Sequence, residues 1–557
     1  MRLQRNRLLN VWLREFRPEL LEQLYTSNQV EIPVIGGRII ARCRHFSPSG
    51  FHRFEETALI DSRGRVQPIE DISALAQLLV NGHEGVPDIL ERIQQSSDAS
   101  IEHALYRTDN YSGVSAVELE QSLWLGHPFH PLAKCVGGFS NDDAERFSPE
   151  RSARFQLHWL LVNRSLVAEF RQDPHAPVEM DQRLLDASGI SANDLGDCSL
   201  FPCHPWQAPR LEEDPFLSQW IGRGDIRLRG PCGDVAIPTS SVRTVWFPER
   251  KLFVKLPIGA RITNFPRVNT HAQIARSVVG SKAVSYAEVA VAQAGFSILA
   301  EPVGRILHTV QNGTDQQYHA NTGFLLRNAD FGAGTLPLIV AGLLETDPAS
   351  GKANLAKVCG HRLQAEENVE QWLAAYTRVT LVPLLHLFSV TGIALEAHTQ
   401  NSLVRFVDGW PTRLYVRDLE GVAVDRDTFE QRFGTQAETL HDVLFYDRET
   451  AWRRLLYYVV VNHYANVVAT VADVAGVGEA DLWVVAARTL REFSHIAEVK
   501  DLLATNTLPA KANFKSSMGG HADRPSYVPI RNPFQTGSST SELIQSFTRP
   551  PVVETVS

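Results

Sequence analysis

Residues 238–267, PTSSVRTVWFPERKLFVKLPIGARITNFPR, decide how the chain is read. Val245-Trp246-Phe247 and Leu252-Phe253-Val254 are β-branched and aromatic runs, and Pro248-Glu249-Arg250 between them supplies a turn, so the stretch predicts a hairpin. With a three-residue loop, position 247 faces 251. Stepping back along both strands then sets Arg243 opposite Lys255, with Ser241 and Val245 on the Arg243 side. Like charges directly opposite one another destabilise a strand pair. Phosphate or carboxylate oxygens between them would remove the repulsion, with hydroxyls among Thr239, Ser240, Ser241 and Thr244 as further donors.

The same face continues into the next extended run, where Arg261 and Thr263 alternate and Asn264, Pro266 and Arg267 end it. Cations thus recur on three adjacent segments. A solvated sheet face with scattered basic residues accounts for this stretch equally well. The remaining chain separates the two readings.

At 557 residues the chain exceeds what one hydrophobic core supports, which predicts two or three domains. A net charge of -9 argues against a nucleic-acid protein whose affinity rests on a broad basic surface, while leaving room for a local anion site. The six cysteines, at 43, 135, 198, 203, 232 and 359, show no paired spacing and predict reduced thiols in a cytoplasmic protein. Cys198, Cys203 and His204 raise a metal site, but no second ligand pair follows. The N-terminal run MRLQRNRLLNVWLREFRPELLEQL has early arginines without a continuous apolar centre, the pattern of an amphipathic helix rather than a signal peptide. Residues 381–397, the most apolar later stretch, are interrupted by Pro383 and His386, so no membrane span and no membrane partner are expected.

Taken in order, the chain predicts an α+β fold of several lobes. Residues 1–150 form a mixed lobe, with a leading helix, an extended run at 30–43 turning at Gly36-Gly37, and a helix near 72–79. Within GHPFHPLAKCVGGFS, at 126–140, the prolines disfavour a helix through both histidines. The resulting rigid loop presents His130 and Lys134 to an anion, whereas His127 reads as a buried, hydrogen-bonded residue. Ser148-Pro149 is a helix start, and Phe155, Leu157, Leu160, Leu161, Val167 and Phe170 predict a core helix after it. In FPCHPWQ, His204 and Gln207 either reach a ligand or shape a turn.

The central lobe, 151–340, is read as antiparallel sheet, with a helix at 285–299, strands near 303–308 and 322–326, and a loop at 328–335. From 341 to 557 the chain becomes mainly helical, as at 369–387 and 451–471. Gly-rich phosphate loops of the Rossmann or Walker type are absent, so phosphate binding would fall to side chains.

Within that helical part lies LEAHTQNSLVRFVDGWPTRLYVRDLEG, residues 395–421. Runs 402–407 and 413–416 read as short strands around an Asp408-Gly409 turn. The hairpin gathers Glu396, His398, Gln400 and Asn401 with Asp418 and Glu420 at its open end. An Asn and an Asp converging there suit Mg²⁺ that also holds nucleotide phosphates.

GHPFHPLAK, HPWQ, TSSVRT, the Lys255 strand, ITNFPR, EAHTQN and RDLEG, in this order, resemble the IucA/IucC family of siderophore synthetases, from about residue 120 to the C-terminus. The resemblance implies an enzyme that uses ATP and Mg²⁺ to adenylate a carboxylate, commonly citrate, and passes the acyl group to an amine or hydroxyl. It implies that His130, Ser241, Arg243, Thr244 and Lys255, with Lys134 beside them, hold the nucleotide. Thr263, Asn264, Arg267, His398 and Gln400 would hold the carboxylate, and Asn401 and Asp418 would bind Mg²⁺ with Glu396 as helper. Arg243, Lys255 and His398 stand nearest the chemistry, His398 either as a base or as a positioning group. LPAKANFKSSM and VPIRNPF resemble the family's closing segment and bring Lys511 to the substrate, although residues 513–518 lack the arginine expected there. The tail from Thr536 is Ser/Thr-rich and reads as flexible. The ITNFPRVN ending favours free citrate over an amidated one, and the family implies a homodimer. The rival readings are a small-molecule kinase with the same Asn/Asp metal logic and a non-catalytic binding protein. Against the kinase, His398 and Gln400 stand where it would offer a catalytic aspartate.

Overall fold

The stretch that opened the reading forms a hairpin, one residue out of the expected register. In the computed structural model Thr244–Phe247 pairs antiparallel with Leu252–Lys255, setting Phe247 against Leu252 and Thr244 against Lys255. The turn takes four residues rather than three, because Pro248–Arg250 make a 3₁₀ turn and Lys251 closes it at φ 50°, its N–H on Pro248 O at 3.0 Å. The expected apposition of Arg243 and Lys255 therefore does not occur. Arg243 lies one residue beyond the pair, at a bend.

The structure describes residues 2–83, 86–110, 113–173, 179–262, 265–287, 295–311, 315–438, 440, 442–519 and 526–535. Thr263, Asn264 and the tail from residue 536 lie outside them. The fold is α+β and multi-lobed.

One core packs the Arg2–Phe16 and Ile72–Val80 helices on a four-stranded meander from Gln29–Val34 to Val66–Pro68. Phe514, from the far end of the chain, is buried in that same core. A second core lies on the hairpin's sheet, whose order runs Asp315–Tyr318, Val303–Gln311, Phe324–Asn328, Leu252–Lys255, Thr244–Phe247, Val235–Pro238, Phe155–Gln156, with Val167–Arg171 against Val303–Gln311. The largest core surrounds the Glu366–Thr391 helix and the helical run from Arg448 to Ala475. Both are long and apolar enough to cross a membrane, but their most apolar windows are 61% and 89% buried within the protein, as core helices are.

Two expectations fail on period. Residues 155–170 hold three strands, the last two joined by a 3₁₀ turn at Arg164–Leu166, and not the expected core helix. Trp159 to Val162 are all buried because His158–Asn163 is the central strand of a three-stranded sheet, where both faces are covered and a continuous apolar run imitates a helix. Ser148 and Pro149 do start a helical turn, but it ends at Arg151. Within 285–299, the helix His271–Tyr286 is already ending and Phe296–Ile298 is a strand parallel to Trp410–Val416; residues 288–294 are outside the described set.

Candidate active site

Lys255 belongs to the wall of a cavity of about 1200 Å³. Its side chain is 1% exposed, and Nζ donates to Asp418 Oδ1 at 2.9 Å and Glu420 Oε2 at 3.0 Å. The carboxylates keep 28% and 25% exposure, so they face the cavity with Lys255 behind them. Arg327, paired with buried Glu301, lies 3.3 Å from Asp418 Oδ2. Burial disfavours every charge here, but opposite charges outweigh it. The Lys255 ammonium is raised by Asp418 and Glu420, while Lys255 and Arg327 hold the Asp418 carboxyl far below the usual carboxylate range.

Arg243 is buried and is positioned by neutral groups. Its Nη1 donates to Asn269 Oδ1 at 2.7 Å and to the carbonyls of Val268 and Arg267 at 3.1 and 3.3 Å. Asn269 in turn donates to Lys255 O and Gly323 O, fixing Arg243 relative to the Lys255 strand. Burial lowers the Arg243 guanidinium, and burial together with Arg243 lowers Arg267 to about 10. Arg243 and Arg267 thus line one cavity, and among the described residues Arg243 makes no ion pair. In the preceding loop Thr239 Oγ1 donates to Thr244 O, and Ser241 Oγ accepts from Thr244 N. Val242 (φ 67°) and Asp418 (φ 71°) occupy left-handed conformations, strained for a β-branched residue, on the two segments that face each other here.

A buried ion pair that sequence reasoning missed ties these segments together. Arg417 donates from Nη1 to Glu120 Oε1 (2.6 Å), and from Nη2 to Glu120 Oε2 (3.1 Å) and to Gln400 O (3.0 Å); Glu120 Oε2 also accepts from Ser240 N (3.2 Å). Gln400 Nε2 reaches Ser240 Oγ at 3.3 Å. The TSSVRT bend, the EAHTQN loop and the end of the Trp410–Val416 strand are thereby fixed together. The predicted second hairpin is present, with Asp408 and Gly409 both at positive φ in its turn.

Four histidines share one local device. His127, His130, His204 and His398 each accept, through Nδ1, the backbone N–H two residues on. Burial lowers His130 to about 3, with Arg7, Arg92 and Arg267 adding to the effect, and burial also lowers His398. Both line the cavity as neutral rings whose occupied Nδ1 leaves the proton on Nε2. His204 is fully buried, and Gln207 Oε1 accepts from Gly259 N, so HPWQ is a structural turn. Lys134 also lines the cavity, its ammonium paired with buried Glu150.

The EAHTQN loop is held from behind by a π-helical segment, Leu456–Tyr464, in which His463 Nδ1 donates to Ala397 O and Asn462 Oδ1 accepts from Thr399 N. The segment also presents Tyr458, whose hydroxyl accepts from Lys511 Nζ at 2.7 Å. Lys511, Arg267, His398 and Gln400 all line the cavity. Arg454, which no sequence motif marked, joins them; its Nη2 donates to Gly421 O. Among the described residues no group of three His, Cys, Asp or Glu forms a metal cage. The oxygens of Asn401, Asp418, Glu396 and Glu420 line the cavity, a donor set that fits Mg²⁺, which keeps waters and takes one or two carboxylates together with phosphates. A Cβ on Gly421 would fall 1.5 Å from Glu396 Oε2, so this approach requires glycine.

The same multi-lobed frame recurs in solved structures. ATP-bound aerobactin synthetase IucA from a hypervirulent pathotype of Klebsiella pneumoniae matches with a TM-score of 0.84 at 23% identity, over 96% of this chain and 99% of that one. Petrobactin biosynthesis protein AsbB from Bacillus anthracis matches at 0.76 and 18%, over 97% of each. In sequence, residues 115–345 match the IucA / IucC family profile, and residues 370–526 match the profile described as ferric iron reductase FhuF-like transporter. An L-2,3-diaminopropanoate–citrate ligase of Staphylococcus aureus is 32% identical over 95% of both chains, and the rhizobactin siderophore biosynthesis protein RhbC of Rhizobium meliloti is 28% identical over 95% of this chain and 97% of its own. The chain belongs to the IucA/IucC family of siderophore synthetases.

Proposed function

We propose that this protein is an ATP- and Mg²⁺-dependent ligase that activates a carboxylate of citrate as its acyl-adenylate and condenses it with an amine. The observation that carries the reading is the convergence of Arg243, Arg267 and Lys255 with the cavity-facing carboxylates Asp418 and Glu420 in one chamber. The names of the relatives, among them a diaminopropanoate–citrate ligase, support citrate and an amine.

In this reading Ser241, Arg243, Thr244, His130 and Lys255 hold the triphosphate. Asn401 and Asp418, with Glu396 beside them, hold Mg²⁺, which when bound offsets charge on the phosphates. Arg267, Gln400 and Lys511 grip citrate, together with Thr263 and Asn264. His398 donates from Nε2 to a citrate oxygen; its proton position suits a donor better than a base. A citrate carboxylate oxygen bonds to the α-phosphorus as the bond to the β-phosphate bridging oxygen breaks, releasing pyrophosphate. The amine nitrogen then bonds to the acyl carbon, AMP leaves with the C–O electron pair, and the nitrogen loses a proton to water. Arg243 and Lys255 neutralise the negative charge that accumulates on the departing groups.

The test is incubation of the purified chain with ATP, Mg²⁺, citrate and hydroxylamine, scoring AMP, pyrophosphate, ADP and hydroxamate. Citrate-dependent AMP, pyrophosphate and hydroxamate are expected. ADP in place of AMP would mean phosphoryl transfer and overturn the proposal.

A further inference from the structure

The cavity lining extends past the loops described above into an arm to which both the Arg2–Phe16 helix and the Ala465–Ala475 helix contribute. On one wall stand Asn6, Arg7 and Asn10, spaced so that one helical face presents them all, and each is 8% exposed. Asn466, Ala469 and Thr470 line it too, again on a single face of their helix. Buried helices ordinarily meet through apolar stripes, and a buried polar group without a partner is costly.

The chain satisfies this polar lining only in part. Asn6 Oδ1 accepts from Phe54 N, and Asn10 Nδ2 donates to His52 O, but Asn10 Oδ1 is buried with no partner. Arg7 Nη1 donates to Leu125 O at 2.5 Å; among the described residues the guanidinium makes no other hydrogen bond and no ion pair. Asn466 and Thr470 make no side-chain hydrogen bond among those residues. The carboxyl nearest in charge to Arg7, Glu345, is already occupied by the backbone N–H groups of Leu125, Gly126 and Thr346. Arg53 and His45, which also line the cavity, pair with Asp473 and Glu479. The arm therefore offers one unpaired positive fork surrounded by neutral amide and hydroxyl groups. It joins the substrate end through Asn462, one turn before Asn466, which bridges His127 and Thr399.

We propose that this arm is the acceptor subsite, and that the acceptor is an amine bearing a carboxylate: Arg7 grips the carboxylate, Asn10, Asn466 and Thr470 orient the molecule, and the amine extends past Asn462 towards the acyl centre. The inference rests on the ligase reading above and names its second substrate by class. A singly cationic fork in a buried polar chamber selects for an anionic group and against a purely cationic polyamine.

Matched acceptor pairs that differ only in the carboxylate test it: 2,3-diaminopropanoate against ethylenediamine, ornithine against putrescine, lysine against cadaverine. For each, kcat/KM is measured with the full chain, ATP, Mg²⁺ and citrate. The carboxylate-bearing member of the accepted pair is expected to lead by roughly tenfold to a hundredfold, and Arg7→Gln to bring that ratio, read within the variant, close to one. Arg7→Lys should keep part of the ratio, and Thr470→Val should raise KM for the carboxylate-bearing member alone. A wild-type ratio at or below one, an Arg7→Gln ratio equal to wild type, or hydroxamate formation without condensation of any carboxylate-bearing amine would each overturn the assignment. If citrate-dependent hydroxamate does not form, the ligase reading fails, and calorimetric binding of the same pairs decides the subsite by itself. Tighter binding of the carboxylate-bearing member, lost in Arg7→Gln, supports it; equal binding overturns it.

Discussion

Lys255 meets two carboxylates of its own chain, Asp418 and Glu420, so its positive charge is shared before any phosphate approaches. A methionine at 255 would leave two cavity-facing carboxylates near each other with Arg327 and the more distant Arg243 to offset Asp418, and would remove the charge proposed to meet the phosphates. Lys255→Met is expected to lower citrate-dependent AMP formation by about a hundredfold or more, read as initial rate at saturating ATP. At this scale the sequence was readable where chemistry and motif coincide. Arg243, Lys255, Arg267, His130, His398, Asn401, Asp418 and Lys511 all line one cavity. It was not readable where the partner is distant: nothing near Glu120 marks it as the counter-ion of Arg417, since the two are almost three hundred positions apart and meet only in the folded chain.

At the scale of elements, the Glu120–Arg417 pair joins the TSSVRT bend, the EAHTQN loop and the RDLEG strand end, with both side chains nearly fully buried. Breaking it leaves a buried charge without its counter-charge. Glu120→Gln is expected to cost about 3 kcal/mol in denaturant unfolding. The double variant with Arg417→Met should cost less than the two single variants added together, with a coupling of roughly 1–3 kcal/mol. Both hairpins could be read from their turns, because Pro248-Glu249-Arg250 and Asp408-Gly409 are local signals. The register of the first was missed because Lys251 enters a left-handed conformation and lengthens the turn. The strand at His158–Asn163 was misread because a strand covered on both faces has no alternation to show.

Across the whole molecule, two buried glutamates join segments from distant parts of the chain. Glu15 accepts the N–H groups of Phe514 and Lys515, tying the first helix to the Asn513–Met518 helix, and Glu345 accepts those of Leu125 and Gly126. Burial raises both carboxyls from 4.5 to about 7. The folded chain therefore keeps protons that the unfolded chain gives up. The stability these groups contribute is complete below pH 4.5, falls as pH rises towards 7, and is flat above. The buried histidines act in the opposite sense. His52, His130 and His204 have folded values near 3, against 6.5 unfolded, so the stability they contribute is present above pH 6.5 and lost as pH falls towards 3. Comparing Glu15→Gln and Glu345→Gln with wild type at each pH cancels the histidines. Each variant is expected to gain in unfolding free energy relative to wild type between pH 5 and pH 8, by an amount on the order of 1–3 kcal/mol, read from denaturant titrations.

The sequence by itself determined the family and the α+β character, and marked residues that the fold gathers in one cavity, because those are carried by short runs of residue types whose spacing along the chain is meaningful locally. Only the tertiary structure decided which charge meets which. It put Lys255 behind Asp418 and Glu420, made HPWQ a turn, brought Phe514 back into the first core, and gathered the polar face of the opening helix with Asn466 and Thr470 in the lining of one cavity. Each of these joins residues far apart in the chain, and such contacts depend on the packing of whole elements rather than on any local preference.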